Sequence, residues 1–147
     1  MNDESTNAQT IAEQVAAGMF EADNASRGLG MRIDAIGPGR ARMSMRVRPD
    51  MLNGFKICHG GLITTLADSA FAFACNSYNE LTFAAGVTVD FLAPAGEGDL
   101  LTADAQEVFH RGRTGVYDVT VTNQRGELIA VMRGRSYRVK GKHTVAP

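Results

Sequence analysis

The sequence predicts an α+β domain in which an antiparallel β-sheet wraps around one long central helix. Three observations predict it. One unbroken apolar run, from about His59 to Ser77, has the composition of a buried helix. Apolar and polar residues alternate in segments on both sides of that run. The later segments are joined by short turns with no helix between them, which favours antiparallel pairing and excludes a doubly wound parallel sheet.

Taken in order, residues 1–7 read as a disordered tail and Ala8 to Ala22 as an amphipathic helix with Ile11, Val15 and Met19 on one face. Gly28 and Gly30 break the chain. Met31, Ile33 and Ala35 alternate with polar neighbours, as do Met43, Met45 and Val47 after Pro38-Gly39, which is a hairpin pattern. A loop from Pro49 to Lys56 leads into the long helix. Four more strands follow, marked by Phe83, Ala85, Val87, Val89 and Phe91; by Leu101, Ala103 and Ala105; by Tyr117, Val119 and Val121; and by Ile129, Val131, Tyr137 and Val139. Pro94-Ala95-Gly96, Arg111-Gly112-Arg113 and Asn123-Gln124-Arg125-Gly126 supply their turns. Residues 141–147 form a polar tail, leaving residues 8–140 as a single domain.

Composition narrows the function classes. A chain of 147 residues suits one core. Its 15 basic and 16 acidic residues argue against nucleic acid or an anionic membrane as the main partner. His59, Thr64, Thr65 and Asp68 interrupt the best apolar run, so no segment reads as a membrane span. The start Met1-Asn2-Asp3-Glu4 is acidic and does not read as a secretory signal. Cys58 and Cys75 give neither a disulfide framework nor metal-ligand spacing, so the expectation is a cytoplasmic protein with two free thiols and no metal. A phosphate-cradling glycine loop, HExxH and GxSxG are all absent.

Chemistry concentrates on the long helix. Asp68 is the only formal charge between Ile57 and Asn79, in a segment where an unpaired carboxylate is costly. Gly60-Gly61 opens that helix, where N–H groups lack intrahelical partners and the dipole favours a negative ligand atom. Bare amides and a lone acid are the parts of an oxyanion site with a general base. The bland alternatives are a glycine pair that merely fits a tight turn, and a buried Asp68 satisfied by Thr64 or Thr65. His59 at a helix start is better suited to capping than to catalysis, because the dipole disfavours an imidazolium there. Cys58 beside His59 is a poor nucleophile pair, since adjacent residues rarely face each other. Asn53 offers an amide for water or a thioester oxygen, or simply forms an Asn-Gly turn. The late arginines, Arg111, Arg113, Arg125, Arg133, Arg135 and Arg138, suit either a phosphate-bearing ligand or a solvated strand face.

Spacing adds a constraint. Eight residues of helix separate Gly60 from Asp68 by about 12 Å. One carboxylate therefore cannot act on a carbonyl held by its own chain's Gly60 N–H. If both serve one substrate, the protein is a symmetric dimer with antiparallel helices and two shared sites.

Asn53-Gly54, His59-Gly60-Gly61 and Leu66-Ala67-Asp68-Ser69-Ala70-Phe71-Ala72-Phe73-Ala74-Cys75-Asn76-Ser77 together resemble the phenylacetate-degradation, PaaI-like branch of the hotdog-fold acyl-CoA thioesterases. The resemblance continues through Val89-Asp90-Phe91-Leu92-Ala93-Pro94, Thr114-Gly115-Val116-Tyr117-Asp118 and Arg133-Gly134-Arg135-Ser136. It implies the hotdog fold and dimers that pair into tetramers. By the same resemblance Asp68 is the catalytic carboxylate, Gly60 supplies the polarising N–H, and Asn53 orients thioester or water. His59 and Gly61 complete the motif, Thr88 falls where relatives hold the attacking water, and Arg113 and Arg133 fall where coenzyme A phosphates could be met. In related branches a hydroxyl one turn after the acid assists water; here that position is Ala72.

The resulting expectation is hydrolysis of an acyl-CoA thioester, phenylacetyl-CoA or a ring-hydroxylated form first, medium-chain esters otherwise, with coenzyme A as part of the substrate and no cofactor. Asp68 acts as general base or as nucleophile. An acyl-CoA hydratase or dehydratase is the first rival, and needs a His–acid pair drawn from His59, His110 and His143. A non-catalytic acyl-CoA-binding module is the second, expected to carry an effector domain for which this chain has little room.

Overall fold

The computed structural model describes residues 2–147, so Met1 lies outside the described residues. Two helices come first, α1 (Asn2–Ala22) and α2 (Asn24–Gly28), followed by β1 (Arg32–Gly37) and β2 (Arg40–Arg46). A single 3-10 turn at Pro49–Met51 precedes α3 (Gly60–Asn76). Then come β3 (Thr82–Phe91), β4 (Leu100–Arg111), β5 (Thr114–Thr122) and β6 (Leu128–Arg138). The anticipated hairpin is β1–β2, turning at Gly39 with φ +69°. The anticipated central helix is α3.

Three expectations need correction. Helix α1 begins at Asn2 rather than Ala8; Asp3 and Glu4 in its first turn complement the helix dipole. The last residues are no loose tail. Leu81 N–H donates to Lys142 O, Val145 N–H donates to Asn79 Oδ1, and Thr144 Oγ1 donates to Asn76 Oδ1, so the segment straps the end of α3. Nor do the last four strands follow one another across the sheet. The order is β1-β2-β4-β5-β6-β3, with every neighbouring pair antiparallel. Strand β3 pairs only with β6 and lies at an edge. The connection after it crosses back below the start of α3, held where Cys58 N–H donates to Ala95 O and Val47 N–H donates to Asp99 O.

The sheet closes around α3. Ile63, Leu66, Ala67, Ala70, Phe71, Phe73 and Ala74 of the helix are buried, against Met43, Met45, Leu101, Ala103, Tyr117 and Val119 of the strands. Each fully buried large side chain contributes about 1.5–3 kcal/mol. Phe71 lies 5.4 Å from the Tyr117 ring, and a Cβ at Gly134 would come within 2.8 Å of Phe71, so β6 needs glycine there for the helix to approach. On the other side Phe20 of α1 meets Phe73 at 6.3 Å, which closes the core.

A bulge between Ala84 and Gly86 changes which way β3 faces. Phe83 pairs with the exposed Tyr137, whereas Val87 pairs with the buried Gly134. The simple alternation running from Phe83 to Phe91 is therefore broken. Phe83, Val87 and Phe91 all remain exposed, on a ten-residue edge strand with no second neighbour among the described residues.

Candidate active site

Helix α3 starts without proline or a bulky residue, and its first turn is closed by His59. The Nδ1 atom of His59 accepts the Gly61 N–H at 2.9 Å, and His59 N–H donates to Met51 O at 2.8 Å. A ring nitrogen that accepts is unprotonated, so the cap holds an imidazole. Gly61 N–H is consequently occupied and is not offered to a ligand. Gly60 N–H has no acceptor among the described residues. Phe91 lies over Gly60, and a Cβ there would come within 3.0 Å of its ring. Glycine at this position thus lets the ring sit directly against an open amide.

That amide lies in a pocket of about 540 Å³ lined by Asn53, Ile57, Cys58, Ile63, Phe91, Leu92, Ala93 and Pro94. Its walls are apolar, with Gly60 and Asn53 as the polar groups. Asn53 Oδ1 accepts from Phe55 N–H at 2.9 Å and from Ile57 N–H at 3.4 Å, which fixes the loop and the orientation of the amide. Its Nδ2 has no acceptor among the described residues. Asn53 is therefore both the turn residue and a free donor, and those two readings do not compete.

Asp68 lies two turns further along and does not line this pocket. It is exposed on the single chain and has no hydrogen-bond or ion-pair partner among the described residues. Surrounding protein nonetheless raises its pKa above the ordinary carboxylate value through desolvation. Satisfaction by its threonine neighbours is ruled out: Thr64 donates to Gly60 O at 2.9 Å and Thr65 donates to Gly61 O at 2.8 Å. Gly61, Thr64, Thr65, Asp68 and Ala72 form the more open stripe of α3, whereas Cys75, nearly a turn beyond Ala72, is buried.

The remaining sequence-derived residues lie elsewhere. Thr88 points to the face of the sheet opposite α3, in a groove with Asp90, Asp118 and Arg133. Arg133 is bound in two-pronged fashion to Asp118, at 2.8 and 2.9 Å, and this guanidinium holds the Asp118 carboxyl below its usual range. Neither Thr88 nor Arg133 reaches the Gly60 pocket of the same chain, because strand alternation turns both outward. Arg113 sits in the β4–β5 turn beside the Tyr137 hydroxyl, at the opposite end of α3. Burial pushes the Cys58 thiol up, and that of Cys75 to about 12, so neither is an activated nucleophile. The pocket walls Ile57, Leu92, Ala93 and Pro94 carry no signal as site residues in the sequence. Only the crossing of the β3–β4 connection brings them to Gly60.

Among the described residues no helix is long and apolar enough to cross a membrane.

The thioesterase superfamily profile matches residues 55–130. Over 134 residues the chain is 46% identical to the acyl-coenzyme A thioesterase PaaI of Escherichia coli K12, covering 90% of this chain and 95% of that protein. The structure of the E. coli PaaI protein from the phenylacetic acid degradation operon superposes with a TM-score of 0.89 at 42% identity, covering 91% of this chain and 97% of that one. A Streptococcus mutans UA159 protein bound to acetyl CoA superposes with a TM-score of 0.73 at 25% identity, over 76% of this chain and 90% of that one. The helix held inside a six-stranded antiparallel sheet is common ground with the PaaI structure, and the chain belongs to the thioesterase superfamily, in its PaaI-like branch of hotdog-fold acyl-CoA thioesterases.

Proposed function

We propose that the protein hydrolyses acyl-CoA thioesters, with phenylacetyl-CoA or a ring-hydroxylated phenylacetyl-CoA as substrate, at sites shared by two subunits. The observation that carries this reading is the unpaired Gly60 N–H in an apolar pocket that its own chain's Asp68 does not line. Gly60 N–H and Asn53 Nδ2 are two donors for a thioester carbonyl oxygen. Asp68, unpartnered and with a raised pKa, is the base. An antiparallel partner brings its own Asp68 to this pocket. There the carboxylate takes a proton from water as the water oxygen attacks the carbonyl carbon. The oxyanion is held by Gly60 N–H, an interaction worth about 3 kcal/mol of barrier. The carbon–sulfur bond then breaks, and the departing thiolate takes the proton. Direct attack by Asp68 through a transient anhydride uses the same geometry.

The aromatic and aliphatic walls (Phe91, Ile57, Ile63, Leu92) suit an aryl-acetyl group, and the E. coli relative's place in a phenylacetic acid degradation operon supports the same choice. The acetyl CoA held by the S. mutans protein supports the coenzyme A portion. A hydratase would need an imidazole facing the acyl group, and none of His59, His110 and His143 is among the residues that line the Gly60 pocket.

Complementation tests the shared site. Gly60→Pro removes the N–H at the first helical position, where proline is tolerated, and the φ −58°, ψ 129° of His59 suit a residue before proline; its Cβ also crowds Phe91, which complementation tolerates because the intact site of a mixed dimer keeps its glycine. Gly60→Pro and Asp68→Asn are each expected to lower thiol release from phenylacetyl-CoA by about 10²–10³-fold. Dimers reassembled from equal amounts of the two variants should recover about a quarter of parental activity, since half the dimers carry one intact site. No recovery from verified mixed dimers would defeat the shared site.

A further inference from the structure

The bulge at Ala84/Gly86 leaves Val87, Val89 and Phe91 on the face of β3 turned toward α3, opposite the buried Gly134, Met132 and Ala130. Val89 packs on the core, and Phe91, two residues further, reaches the start of the helix. Its backbone is held there, since Leu92 N–H and Ala93 N–H both donate to Ile129 O, at 2.8 and 3.2 Å. The outer half of the ring, Cζ and both Cε atoms, stands 3.0 to 3.4 Å from the point a Gly60 Cβ would occupy. Phe91 nevertheless remains 54% exposed, so part of the ring is free for a ligand. Among the residues that line the Gly60 pocket it is the only aromatic one, and none carries a charge. The two free donors there, Gly60 N–H and Asn53 Nδ2, serve the thioester carbonyl in the mechanism above. Discrimination among acyl groups is left to shape and to this ring.

We propose that Phe91 is the specificity-determining residue of this pocket, the one that tells an aromatic acyl group from a saturated one, an inference that rests on the acyl-CoA reading above. The aryl group of the substrate lies against the Phe91 ring while the carbonyl oxygen takes the Gly60 N–H. Burial alone does not make that distinction. A cyclohexyl group is at least as apolar as a phenyl group and of similar size, so area removed from water gives the aromatic ester no advantage. A ring–ring contact does, because offset and edge-to-face pairs gain from the quadrupoles of both rings. Selection and polarisation share one anchor. The ring bears on Gly60 itself, so the spacing between the aromatic surface and the open amide follows from the missing Cβ.

The test compares phenylacetyl-CoA with cyclohexylacetyl-CoA, in the parent and in Phe91→Leu, which keeps apolar bulk without a ring. The parent should favour phenylacetyl-CoA in kcat/KM by about two- to tenfold, the size of one aromatic pair. Phe91→Leu should turn over the two esters equally well. The ratio is read within one sample, so a smaller folded fraction does not move it. Should Phe91→Leu fail to fold, Phe91→Val, whose β-branched side chain suits a strand, carries the same expectation. A preference that survives in the variant, or a parent that has none, overturns the proposal. Should the parent release thiol from neither ester, the thioesterase reading falls, and calorimetric titration with the two esters still decides Phe91. A dissociation constant lower for phenylacetyl-CoA in the parent, and equal for both esters in the variant, supports the contact. The same ratio in both proteins overturns it.

Discussion

In the proposed mechanism Asp68 bears cost and function together. Its carboxyl is partly desolvated with nothing to pair with, so folding disfavours its charged form. A raised folded pKa means that its stability contribution is fully present below the ordinary carboxylate value and is lost as pH rises through the folded value. Asp68→Asn should therefore melt at a higher temperature than the parent at pH 7, and the gain should vanish in acid. The same titration sets activity: turnover should rise with pH through a midpoint above the ordinary carboxylate range. A pH–rate profile and paired melting curves check both statements. At this scale the sequence was informative about chemistry and poor on direction. An open amide at the Gly60-Gly61 helix start, the unpaired Asp68 carboxyl and the Asn53 turn were each suggested by the sequence, because a glycine at a helix start, an isolated charge and an Asn-Gly loop narrow the options. Which glycine amide stays open was not legible, because that depends on the rotamer His59 adopts to reach Gly61. That Thr88 and Arg133 face away from the Gly60 pocket of their own chain was not legible, because facing on β3 and β6 depends on a bulge and a register that local pattern does not encode.

Among the elements, α3 and its contact with β6 hold the site in place. Gly134 lets the Phe71 ring approach β6 more closely than any residue with a Cβ would allow. Gly134→Ala forces Phe71 or the strand to move in a closely packed region and should cost about 1–3 kcal/mol. It should appear as a lower urea midpoint with an unchanged slope. The helix and each strand were legible from periodicity, because apolar runs and two-residue alternation are local properties. Strand order was not. The crossover that carries β3 past β6 is decided by where the Leu92–Asp99 connection can pass beneath α3, a contact between segments far apart in sequence.

For the whole molecule, the open edge of β3 is the feature that asks for a partner. The outer edge of a ten-residue strand, with Phe83, Val87 and Phe91 exposed and no second strand beside it among the described residues, is an aggregation hazard unless a second subunit covers it. Val87→Lys places a charge on that edge and should shift the protein to monomers in sedimentation velocity. If the proposed site draws on both chains, thiol release should fall with it. A fully active monomer would refute the shared site. The same strand order bears on biosynthesis. Because β6 is the only strand that β3 pairs with among the described residues, β3 leaves the ribosome well before its partner strand exists. Until Leu128–Arg138 arrives, the nascent chain carries a sticky ribbon with no strand beside it, so premature termination in the last quarter of the message should yield insoluble product rather than a shortened enzyme.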